Sequence, residues 1–153
     1  MAVYETSLSN QKAATKSFGD HRGIYCVGSA IIAVTTAMID NANDDVGAFW
    51  VEAGAVITGA TFAATDIDSG TAFVVDVGDS VDEDRFIAAA TTGQAEGLTN
   101  ALAYSGFLYK FTARTQVRVY VKTAAGTPVA GTIKVALFGF YDPEFSTTAL
   151  TAA

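Results

Sequence analysis

A chain of 153 residues suits one domain, which would bury about 70% of the surface that its unfolded form exposes. Hydrophobic residues make up 50% and charged residues 16%, with Ala, Gly, Thr and Val prominent; this β-rich balance excludes a helical bundle and a disordered polymer. The net charge of -7 argues against a nucleic-acid partner, because binding a phosphate backbone depends on Lys and Arg.

Cys26 is the only cysteine, so neither an internal disulfide nor a zinc cluster of thiolates can form, and folding in a reducing cytoplasm is expected. The first residues lack a positively charged end followed by an apolar run and do not read as a secretory signal. No apolar segment approaches the roughly 20 residues needed to cross a bilayer, so no membrane partner is expected. Charge is segregated along the chain. Between Asp40 and Glu96 there are twelve acidic residues and one base, Arg85; between Gly97 and Tyr141 there are five bases and no acid. Either strands from the two halves lie side by side and pair their outward charges, or an acidic and a basic edge meet between copies.

In chain order, residues 1–23 are polar and aperiodic and read as an N-terminal arm. Such an arm is disordered alone or orders on a partner, where Tyr4, Leu8 and Phe18 could each seat in a pocket. His21, the sole histidine, has no second histidine to share metal or acid-base work. Residues 24–36 read as one or two strands with Cys26 as a small buried hydrophobe. Residues 40–47 form a loop by their Asn, Asp and Gly content, and a short strand over 49–51 carries Trp50, a core residue or an interface anchor. A turn at 52–54 leads into a strand over 55–65, and Asp66 to Gly70 fits a hairpin loop. In the return strand Phe73, Val75 and Val77 share one face and Asp76 falls on the other.

The acidic run from Gly78 to Arg85 suits a helix start, which predicts one short helix over about residues 82–90 with Phe86 packed inward. Residues 93–104 read as a loop and 107–113 as a strand. Over 115–123 the alternation is clean: Val117, Val119 and Val121 on one face, Arg118, Tyr120 and Lys122 on the other. Residues 132–141 return with Ile133, Val135 and Leu137 inward, which predicts a terminal hairpin, and residues 142–153 form a C-terminal tail. The expected architecture over residues 24–141 is all-β, an antiparallel β-sandwich of jelly-roll type with about seven or eight strands.

Little in this pattern supports catalysis. Gly78-Asp79-Ser80 is similar to the nucleophile block of GDSL-type hydrolases, but those need an Asp and a His late in the chain, and His21 is early. Asp76, Asp79, Asp82, Glu83 and Asp84 could hold Ca²⁺, which takes six to eight oxygens, yet their spacing is not that of an EF-hand, and solvated carboxylates at a helix start are the simpler reading. No cofactor is expected.

The succession GAVITGATFAATDID, TAFVVDVGD, DRFIAAATTGQAEG and VRVYVKTAAGTPVAGTIKVALFGFY resembles a group of small virion proteins of tailed bacteriophages, over roughly residues 55–141. That resemblance implies a non-enzymatic β-sandwich in the virion that decorates or cements a capsid, with the major capsid protein and further copies of itself as partners, a trimer favoured over a dimer. It also admits a head-fibre or tail component. A carbohydrate-binding adhesin is the alternative from another class, with Trp50, Tyr104 and Tyr109 as candidate sugar-stacking residues.

Overall fold

The computed structural model describes residues 25–142. Among the described residues there are eight strands: β1 (Tyr25–Val34), β2 (Asp45–Val51), β3 (Ala55–Ala64), β4 (Val74–Gly78), β5 (Ile87–Ala90), β6 (Gly97–Thr99), β7 (Thr115–Thr123) and β8 (Gly131–Tyr141). They form two four-stranded antiparallel sheets, β1-β8-β3-β6 and β2-β7-β4-β5. Pairing is nested: β1 with β8, β2 with β7, β3 with β6 and β4 with β5. This is a long two-stranded ribbon rolled up on itself, the order of an eight-stranded jelly roll.

Rolling the ribbon makes almost every connection cross from one sheet to the other, and this corrects two expected hairpins. Only β4 and β5 are consecutive and paired. The loop from Asp66 to Gly70 carries the chain between sheets instead of turning it back, and β7 and β8 lie in opposite sheets. The faces were nonetheless read correctly. Val117, Val119 and Val121 from one sheet meet Ile133, Val135 and Leu137 from the other, all buried, around Phe62, Phe73, Phe86 and Phe111. Alternation fixes the inward face whichever strand is the neighbour.

The expected helix over 82–90 is absent. Asp79 caps a turn by accepting from the backbone N–H groups of Val81 and Asp82, and residues 87–90 pair with β4 as β5. Phe86 is inward as expected. Residues 107–113 are not a regular strand. Residues 108–111 run beside the start of β3, with Leu108 donating to Ile57, Ile57 to Tyr109 and Phe111 to Ala55. The loop expected over 93–104 contains the three-residue β6. Cys26 is exposed rather than buried, because it sits opposite Phe138 on the outer side of its sheet.

One-residue bulges at Val27 in β1, Ala48 in β2 and Thr58 in β3 shape the sandwich, and the register of β4 shifts against both β7 and β5. Next to the first, Gly28 lies against the ring of Phe49 with no room for a Cβ, and this close approach shuts the edge where β1 and β2 meet.

Candidate interaction surfaces

The two outer faces differ in chemistry. On the β2-β7-β4-β5 sheet, the register sets Asp45, Tyr120 and Asp76 in one row and Gly47, Arg118 and Gly78 in the next. Arg118 donates to Asp45 and to Gln116, and its hydrogen bond to Asp45 raises its pKa further. Lys122 meets Asp76 at 3.1 Å, and Arg114 meets Glu52 at 2.9 Å. The basic half of the chain thus pairs with the acidic half across one sheet and at its rim.

Trp50 is not in the core. It is 52% exposed, with the Arg114 guanidinium 4.7 Å above its ring. The exposed aromatic and the cation form an amphipathic platform of the kind that anchors interfaces.

At the end of β4 the acidic residues fold around Arg85. Asp79, 1% exposed, accepts from Arg85 Nε at 2.7 Å as well as from the two backbone groups, and Arg85 lies 4.0 Å over the Tyr109 ring. Burial, then the neighbouring Asp84, pushes the Asp82 carboxyl up, while Arg85 opposes them. Asp76 is directed elsewhere, to Lys122 and the Ala89 N–H. Among the described residues no three His, Cys, Asp or Glu converge as a metal cluster, and the candidates Asp76, Asp79, Asp82 and Asp84 are tied into ion pairs, turns or each other. Ser80 is exposed. His21, Tyr4, Leu8 and Phe18 lie outside the described residues. Of the aromatic candidates for sugar stacking, Tyr104 is 97% exposed on the loop after β6, whereas Tyr109 packs beneath Arg85.

The outer face of the β1-β8-β3-β6 sheet is built differently. Its strands contain no carboxylate, and Lys134 is their one charged residue. Register sets Ser29, Ala136 and Thr61 in one row and Ile31, Lys134, Ala63 and Leu98 in the next. Ile31 is 72% exposed and Leu98 60%. Sequence reasoning missed this face because its residues alternate with core residues inside strands that look uniformly apolar.

No protein-family model matches the chain, and no curated protein sequence matches it. Among solved structures it is similar to a chain of the cyanophage Pam1 capsid asymmetric unit, with 25% identity over 78% of this chain and 86% of that one and a TM-score of 0.68. It is similar also to a chain in the capsid of Ralstonia phage GP4, with 27% identity, 76% and 84% coverage and a TM-score of 0.61. A chain in the acid-stable capsid of Helicobacter pylori bacteriophage KHP30 shares the fold, with 18% identity, 79% and 89% coverage and a TM-score of 0.51. The class that fold and likeness define is a phage virion structural protein of the β-sandwich type.

Proposed function

We propose that the chain is a capsid decoration or cement protein, which binds the outer surface of a phage capsid as a homo-oligomer and stabilises the shell. The observation that supports this most is the likeness to two phage-capsid chains over most of their length. Its immediate partner is then the major capsid protein, and copies of the chain associate on that surface, a trimer favoured over a dimer. The role is non-enzymatic: the protein is made in the bacterial cytoplasm and resides in the virion. Residues 1–22 serve as the attachment arm, with Tyr4, Leu8 and Phe18 seating in pockets of the shell. An extended segment of that length reaches about 75 Å.

Deleting residues 1–22 should leave the sandwich folded, by circular dichroism and thermal melting, and abolish co-sedimentation with capsids that lack the protein. Any residual binding should weaken with salt. Truncated protein that decorates capsids as well as the full chain would rule out the arm. A full chain that ignores capsids but binds glycans on an array would instead favour the adhesin, a reading supported by the exposure of Trp50 and Tyr104.

A further inference from the structure

We propose that the outer face of the β1-β8-β3-β6 sheet is the surface that a second copy of this chain covers. The proposal deepens the homo-oligomer half of the reading above and rests on it. It is tested first on the free chain, so its failure is separable from a failure of capsid binding.

Charge points to another copy as the occupant. Each copy carries -7, so two copies repel unless they meet where carboxylates are absent. This sheet's strands supply none, and their only charge is the positive Lys134, which favours approach by a net-negative copy. Lys134 sits on an inner strand between Ile31 and Ala63 and lines one open depression with Leu98 and with Glu96, the carboxylate just outside β6. The opposite sheet is a poorer contact surface. Covering it would desolvate the Arg118–Asp45 and Lys122–Asp76 pairs, at a cost that their mutual attraction does not reliably recover.

Size and texture agree. β1, β8 and β3 have ten, eleven and ten residues, and β6 lies beyond β3. At about 3.3 Å per residue and 4.8 Å between strands, the three long strands measure about 33 by 14 Å and the three-residue β6 adds little, roughly 500 Å² in all. Covering it with a matching area of a second copy buries about 1,000 Å² in total, the least that a specific interface must clear. Ser29, Ala33, Thr61, Ala63 and Ala136 keep the face low, while the exposed Ile31 and Leu98 project as anchors.

Cys26, the sole thiol, is exposed on the same face opposite Phe138, and makes a native reporter. The full chain is followed by sedimentation velocity over a dilution series while Cys26 is titrated with dithiobis(nitrobenzoate). Where the chain sediments as an oligomer, the thiol should react at least about tenfold more slowly than in the dilute monomer. Ile31→Glu should weaken association by at least about tenfold, equivalent to 1.4 kcal/mol, with an unchanged melting temperature. Thr123→Glu, at the exposed end of β7, should leave association as it is. Ala33→Glu, also exposed, repeats the test should the first variant misfold. A chain that is monomeric at every concentration overturns the proposal. So does an oligomer that Ile31→Glu leaves intact with Cys26 reacting at the free rate. Protection of Cys26 only on capsids would also overturn it, by assigning this face to the shell.

Discussion

Asp68 is fully buried and accepts hydrogen bonds from the backbone N–H groups of Gly70, Ala72, Phe73 and Thr127, at 2.7–2.9 Å. One carboxylate therefore clasps the loop that leaves β3 to the loop that joins β7 to β8. Burial pushes its pKa up, but the four donors outweigh burial and hold it well below the ordinary carboxylate range. With the folded value below the unfolded one of about 3.9, the stabilisation is complete above about pH 5 and is lost as the pH falls toward the folded value. Asp68→Ala should cost at least about 3 kcal/mol at pH 7, because several buried donors lose a charged acceptor together. Asp68→Asn should cost less, and its urea midpoint should fall less than that of the natural protein between pH 7 and pH 3. A parallel loss in both proteins would assign the acid sensitivity to other carboxylates. The composition around Asp68 was legible as a turn. That its side chain points inward was not, since the Asp, Ser and Gly that close a hairpin serve equally to cross between sheets.

Among the elements, β7 was the most legible, because strict alternation specifies which side chains are buried without specifying the partner strand. Val119→Ala should leave a cavity between the sheets and cost on the order of 2 kcal/mol or more in denaturant melts. For Lys122→Ala the face alone predicts less than about 0.5 kcal/mol. Its contact with the 5% exposed Asp76 raises that to about 1 kcal/mol, since removing the ammonium strands a largely buried carboxylate. If Lys122→Ala proves neutral, the ion pair contributes nothing to the fold. Residues 82–90 were misread for an opposite reason. Acidic residues before an alanine run satisfy helix rules locally, but Asp79 takes the first free N–H groups into a turn, and pairing with β4 draws Ile87 to Ala90 into the sheet. Local preference gave way to an available strand edge.

On the scale of the whole molecule, the acidic and basic halves of the sequence are brought together by the nested pairing of β2 with β7 and by the rolling of the ribbon that sets β7 beside β4. The charge segregation visible in the sequence is thereby largely used within one copy, and this leaves the charge-poor sheet as the better candidate for contact between copies. The candidate arm and the proposed capsid role came from polarity and resemblance, because a contact surface has no catalytic spacing to betray it in a sequence. The contrast between the two outer faces needed the register, which joins residues as distant as Ile31 and Lys134.

Nesting also brings the outermost strands of the ribbon together. Tyr25 at the start of β1 lies opposite Gly139 and stacks on Tyr141, with ring centroids 5.9 Å apart. In cyclic order the sandwich is thus nearly closed, and where its linear order starts is close to arbitrary. A gene rearranged to run from β8 through a short flexible linker into β1, and opened at the exposed Ala42, keeps every strand pair. Such a permutant of residues 25–142 should melt within about 5 °C of the same segment in its natural order. A much larger loss would mean that continuity between β1 and β2 is itself needed to roll the ribbon.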